Sequence, residues 1–316
     1  MQIRNNTFNP LPIMESKEDW YSNQATYKGT KQPTKTKKNF LLPMQLNIDE
    51  ELYNALQESG SKLVVQAVNN QGERKTLKVT PTIELMPEDI RSADNYAMLF
   101  IGNEYLISTP LNIGTYYLEI HYSNTNDVSK SKTWYSDLFC MVDDVKDMVH
   151  LKYRNTTPIQ VGDTCYIPFK RGDANVYMDV YLDATIMMNV FNFENTVEQQ
   201  DGYERVKKRV STKKLNTSFY CTEYMADALR LMWHCDSITM SYKGKKYKID
   251  NVDMSASWDI SNHFCKVDMQ FAVDTVIQTN AHAIMQKDLP SGADFNNDFN
   301  DDFGTEHAIV NIVESE

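Results

Sequence analysis

The chain has 316 residues, 41% of them apolar and 24% charged, with a net charge of −11 at pH 7. That length allows two domains with separate cores, and the acidic balance excludes a general nucleic-acid binder, which needs clustered Lys and Arg against phosphate. The opening `MQIRNNTFNPLPIM` lacks the apolar run of a signal peptide, and no stretch approaches the ~20 apolar residues of a membrane span, so synthesis in the cytoplasm and no membrane partner are expected.

Residues 1–39 read as an N-terminal arm. They are rich in Asn, Thr, Lys and Pro, show no sustained periodicity, and contain one large anchor, Trp20. Residues 1–40 carry seven basic and three acidic groups, a local +4. Such a segment is expected to be flexible alone and to order on a partner, which makes Trp20 a candidate assembly-interface residue.

From Phe40 the pattern turns to strands: `NFLLPMQLNI`, `KLVVQAVNN`, `KTLKVTPTIEL`, `NYAMLFI`, `EYLIST`, `GTYYLEIHY` and `KTWYSDLFCMV`. In `GTYYLEIHY`, Tyr116, Leu118, Ile120 and Tyr122 share a face; in the last segment Trp134, Ser136, Leu138, Cys140 and Val142 do. Seven short strands separated by turns predict an immunoglobulin-like β-sandwich over residues 40–146.

A second, antiparallel β domain is expected over 147–280. `VHLKYR`, `CYIPFK` and `ANVYMDVYLDATIMMNVF` are strand-like, and the third sets Val176, Met178, Val180 and Leu182 against Tyr177, Asp179, Tyr181 and Asp183. Residues 222–234, `TEYMADALRLMWH`, predict one packed helix with Thr222 as cap, Glu223 at the positive end of the dipole, and a stripe of Met225, Leu229, Met232 and Trp233. Residues 237–250 read as a hairpin turning at Gly244, followed by further alternation to Val273. Residues 201–216 carry six basic and two acidic groups, again +4.

Residues 281–316 form an acidic C-terminal arm, Lys287 against eight acids for a local −7. Within `ADFNNDFNDDFG`, Phe295, Phe299 and Phe303 recur every fourth residue. A calcium loop starting at Asp294 would need Gly where Phe299 stands and Glu where Thr305 stands. The `DFG` at Asp302–Gly304 has no Gly-rich loop and no kinase lobe after it. The remaining reading is an arm whose three phenylalanines, stacked on one face of a helix or inserted singly into pockets if extended, dock on another surface while the aspartates keep it soluble and can meet basic partners; a merely solvated, disordered tail is the alternative.

Catalytic constellations are sparse. The 11 glycines are never closer than ten apart, which excludes every Gly-rich phosphate or nucleophile loop. Five widely spaced cysteines read as free thiols, and with no CxxC or HExxH no metal or other cofactor is expected. Asp179 and Asp183 lie four strand positions apart, about 13 Å, wider than a glycosidase pair. The alternating Tyr and Asp read as a solvated face or one touching sugar or protein, and the `RGD` at Arg171–Asp173 reads as a turn. The chain is expected not to be an enzyme; a glycan- or receptor-binding module is the alternative, and a hydrolase with Asp179 in the reaction ranks third.

Two segments, `KTWYSDLFCMVDDV` and `CDSITMSYKGKKYKIDNVDMSASWDISNHFCKVDMQFAVDTVIQTN`, together with the order of the β domains, resemble virion structural proteins of tailed phages of Bacteroides-type bacteria, the crAss-like phages. The resemblance spans roughly residues 40–280. It implies a tail or neck ring component located in the virion, with no catalytic residues. The partners it implies are copies of the chain, adjacent ring, portal or hub proteins, and DNA or cargo passing the lumen without specific binding.

Overall fold

The computed structural model describes residues 1–6, 8–26, 33–79, 81–102, 111–162, 165–200, 203–258 and 265–280. The protein is mainly β. The first eleven strands are β1 Ile3–Asn5, β2 Ile13–Met14, β3 Thr34–Lys37, β4 Met44–Ile48, β5 Ser61–Asn69, β6 Arg74–Thr76, β7 Thr82–Leu85, β8 Ala97–Ile101, β9 Gly114–Asn124, β10 Lys132–Ser136 and β11 Phe139–Val142. They form two sheets, β1-β4-β8-β7 and β2-β10-β9-β11-β3, with β5 also on β9 and β6 on β5. Leu46, Ile48 and Leu99 from one sheet and Leu118, Ile120, Tyr122 and Trp134 from the other meet in one core. Helix α1 spans Lys17–Thr26, and helix α2, Glu50–Gln57, starts where the Asp49 carboxylate accepts from Leu52 N at 2.8 Å.

The first expectation corrected is the N-terminal arm. The described part of 1–39 is woven into the sheets: β1 pairs with β4, β2 with β10, and β3 runs parallel to β11. Asn5 exchanges two hydrogen bonds with the Ile13 backbone, at 2.6 and 2.7 Å. The weak periodicity reflects these short strands, each only two to four residues long.

The second correction concerns `KTWYSDLFCMV`. Tyr135 pairs with Glu119 and Phe139 with Tyr116, so four steps on one strand answer three on the other. This bulge shifts the facing by one residue. Trp134 and Ser136 point inward before it, whereas Phe139 and Met141 do so after it, in place of the expected Leu138, Cys140 and Val142. Segment 104–109, `EYLIST`, lies outside the described residues.

The remaining strands are β12 Val149–Arg154, β13 Ile159–Val161, β14 Cys165–Ile167, β15 Lys170–Arg171, β16 Ala174–Asn175, β17 Met178–Leu182, β18 Ile186–Gln200, β19 Tyr203–Cys221, β20 Ser237–Tyr242, β21 Lys245–Trp258 and β22 Cys265–Asn280. β13–β14 and β15–β16 are small hairpins, the second carrying the `RGD` turn. The others form one sheet in the order β17-β12-β20-β21-β22-β19-β18. The β20–β21 hairpin turns on Lys243 and Gly244, with φ of 47° and 75°, the paired left-handed conformation of a tight two-residue turn.

The outer strands of this sheet, β17 and β18, are joined by residues 183–185 alone. Seven strands laid flat would hold their edges about 29 Å apart, but a link of that length reaches only about 14 Å. The sheet must therefore coil towards closure. Thr217 Oγ1 donates to Thr185 O at 2.9 Å, fixing the link, and Ala184 is buried beneath it. What reads in sequence as one strand from Ala174 to Phe191 is thus three: β16 in a small hairpin, and β17 and β18 at opposite edges of the sheet.

Helix α3, Glu223–Leu231, continues as a 3₁₀ turn through His234. The Thr222 hydroxyl accepts from Met225 N at 3.4 Å. Met225, Leu229, Leu231 and Met232 enter the core lined by Leu151, Tyr153, Val180, Val267 and Phe271, whereas Trp233, expected in the stripe, is 61% exposed.

The two cores are stitched together by the N-terminal segment. Phe8 is buried in the second core, and Asn6 Oδ1 accepts from Cys165 Sγ at 3.0 Å. Gln45 donates to the Tyr166 carbonyl, and Lys35 pairs with Asp183.

Candidate assembly surface

β18, β19 and β22 outrun the rest of their sheet. Phe191, Lys213, Val273 and Ile249 stand side by side in the ladder. From that level β21 runs four residues to Lys245, while β19 runs ten to Tyr203. The hairpin β18–β19 therefore overhangs by roughly 20 Å. β22 accompanies it as far as Asn280, opposite Lys208. Among the described residues β18 pairs with β19 alone, so its outer edge is an open row of backbone donors and acceptors.

Phe191 and Phe193 sit on this edge strand, 59% and 74% exposed, with ring centroids 6.5 Å apart. Arg209 is exposed on β19, and Lys214 pairs with Asp253 at 3.3 Å. An open strand edge, two exposed aromatic rings and a basic partner strand make a surface suited to an extended acidic, aromatic segment. Sequence reasoning passed over Phe191 and Phe193. Their alternation continues the apolar run from Ile186, and nothing in the residues marks where that run leaves the core. Three further aromatic side chains, Tyr220, Trp233 and Trp258, are more than half exposed near the α3 side of the sheet.

The candidates named from sequence fare differently. Trp20 is turned onto its own chain: its indole N–H donates to Ser136 O at 2.9 Å, and its ring lies 4.6 Å from that of Tyr117. Lys17 Nζ fills the space between them, 4.3 Å from the Trp20 ring and 4.1 Å from the Tyr117 ring. Phe295, Phe299 and Phe303 lie outside the described residues.

The Tyr177–Asp183 face is not a free surface. Asp179, 5% exposed, pairs with His150, Tyr181 packs its ring against Phe40 across the joint, and Asp183 holds Lys35. Tyr177 lies under Lys152 Nζ at 4.4 Å and the Arg154 guanidinium at 5.3 Å. A cleft of about 210 Å³ at the joint is lined by Gln45, Phe100, Ile167, Phe169, Arg171 and Asn175 among others.

Burial pushes the Cys165, Cys221 and Cys235 thiols up to about 12, so all three are protonated near neutral pH and are poor nucleophiles. Among the described residues no group of three or more His, Cys, Asp or Glu is placed to hold a metal ion, and no helix is long and apolar enough to cross a membrane.

No family model matches the chain, and neither a curated protein nor a solved structure matches it.

Proposed function

We propose that the chain is a non-enzymatic structural protein of a virion tail, assembling with copies of itself and with adjacent tail, portal or hub proteins around a channel for genome or cargo. The observation that carries this reading is the overhanging ribbon. A 15-residue edge strand with two exposed phenylalanines is a liability for a solitary protein and a natural contact for an assembling one. A contact between one surface of a subunit and a different surface of the next repeats, and it closes into a ring when the rotation allows. The resemblance of residues 40–280 to tail ring proteins of crAss-like phages supports the same class. On this reading the first eleven strands are an immunoglobulin-like sandwich adapted by the added N-terminal strands, and the acidic body lets DNA slide past by repelling its phosphates.

A glycan-binding reading would rest on the Tyr177–Asp183 face, which is engaged within the chain. The test is native mass measurement with electron microscopy on the purified full chain, alone and with candidate neighbours. Closed rings of discrete copy number are expected. A chain that stays monomeric beside every neighbour, or that turns over a small molecule, overturns the proposal.

A further inference from the structure

Resting on that reading, we infer that the open edge of β18 is the acceptor for the C-terminal segment around Phe295, Phe299 and Phe303 of a second copy of this chain.

Three observations converge. The first is charge: the basic groups of the ribbon lie on β19, which carries six Lys and Arg against Glu204, whereas β18 itself carries Glu194 and Glu198, and residues 281–316 carry −7. Opposite potentials of this size attract across a wet interface and set register. The second is pattern. A strand repeats every two residues, so phenylalanines four apart fall on one face, about 13 Å between neighbours. A segment added alongside β18 would therefore present one apolar row towards Phe191 and Phe193, with Asp294, Asp298 and Asp302 on the opposite face.

The third is the position from which the segment departs. β22 ends at Asn280 against Lys208, on the opposite side of β19 from β18. The donor and acceptor edges are thus the two edges of one ribbon. A chain's own segment would have to double back around the hairpin to reach β18. A neighbour's segment leaves its ribbon on the side that meets this edge in a head-to-tail arrangement, and such a contact can repeat around a ring. The 36 residues after Asn280 are long enough to bridge subunits, since an extended chain covers about 3.3 Å per residue.

Two full-length variants test this. F191D/F193D alters only exposed rings and leaves the C-terminal segment intact; F295S/F299S/F303S leaves β18 intact. A labelled synthetic peptide of residues 288–306 should bind the second variant. Adding F191D/F193D to it should weaken that binding at least 10-fold, and raising salt from 50 to 500 mM should weaken it too. Equal binding with and without F191D/F193D overturns the assignment, provided circular dichroism shows both proteins folded. R209E, at an exposed position that packs no core, gives a second measure and should also weaken the peptide.

Mixing the two full-length variants should give a one-to-one complex by native mass, because one supplies the segment and the other the edge. Two unmixed monomers overturn the assignment to a second copy. Should the full chain form rings that F191D/F193D does not disturb, this inference fails while the ring proposal stands. Should the peptide bind β18 of a chain that never forms rings, the ring proposal fails while the acceptor edge stands.

Discussion

The His150 imidazole lies flat on the Tyr181 ring, with centroids 4.3 Å apart and planes inclined by 7°, while Tyr181 also meets Phe40 edge-on at 5.9 Å. His150 and Tyr181 are cross-strand partners on β12 and β17, and Phe40 belongs to the first core. One tyrosine therefore transmits packing from one core to the other. Tyr181→Ala should cost about 2 kcal/mol, roughly half the loss of a fully buried aromatic ring. Chemical denaturation should show the loss, with a broader or split transition as the cores uncouple. A variant with the wild-type midpoint and slope would show that the joint does not depend on this stack.

Trp20→Ala should release α1 from β10. It removes the indole bond to Ser136 O, the contact with Tyr117 and one wall around Lys17. We expect a loss of about 2 kcal/mol and faster amide exchange across residues 17–26. Unchanged exchange there, with assembly impaired, would return Trp20 to the role of a contact between subunits.

Alkaline pH should destabilise the fold. Burial, helped by the Glu119 charge, raises Tyr117 to about 12, and burial holds the Tyr153 phenol, which donates to Ala228 O at 2.6 Å, well above its ordinary value. Tyr116, Tyr135 and Tyr166 are raised as well. Above pH ~10 the unfolded chain sheds these protons and the folded chain keeps them. The stabilisation is therefore complete below pH 10 and is lost as pH rises towards 12 and beyond. Lys17, lowered chiefly by burial, acts in the opposite sense, one cation against several phenols. The urea midpoint should fall between pH 9 and pH 11, and Tyr153→Phe should fall less steeply; a flat profile would count against the burial of these phenols.

Gly102→Ala should be among the most damaging single-methyl changes. Gly102 has φ of 97°, and an added Cβ would sit 2.3 Å from the Leu42 carbonyl oxygen, a backbone atom that cannot swing aside. A loss of more than about 2 kcal/mol, read as a lowered thermal midpoint, is expected. Gly72→Ala, with open space around its Cβ, is the control and should lose only about 1–2 kcal/mol, from backbone strain alone.

These sites show how far the residues reveal the fold. Helix α3 was legible because Thr222, Glu223 and the Met225–Leu229–Met232 spacing all state the same thing. Helix α2 carried a usable signal in Asp49 before Glu50 and Glu51, masked by the apolar run of β4 leading into it. α1 has no apolar stripe, and its marks are Ser16, whose hydroxyl accepts from Asp19 N at 3.0 Å, and the acidic Glu18 and Asp19 of its first turn. The bulge between Tyr135 and Phe139 is invisible in sequence because either parity of `KTWYSDLFCMV` offers apolar side chains. Strand order is also beyond local patterning: nothing in `VYLDATIMM` says that Leu182 and Ile186 belong to opposite edges. For the proposed assembly surface, charge was legible at both ends of the contact, but the acceptor edge needed the register.

The order of the coiled sheet bears on how the protein is made. The strands that fill its middle, β20, β21 and β22, are translated after both flanking pairs, β12–β17 and β18–β19. Once residues up to 236 have cleared the ribosome, the two halves face a gap three strands wide, with the edges on either side of it unsatisfied. Closure waits for the last part of the domain to emerge, so the nascent chain is most exposed to wrong pairings late in synthesis, when sister chains on the same message crowd nearby.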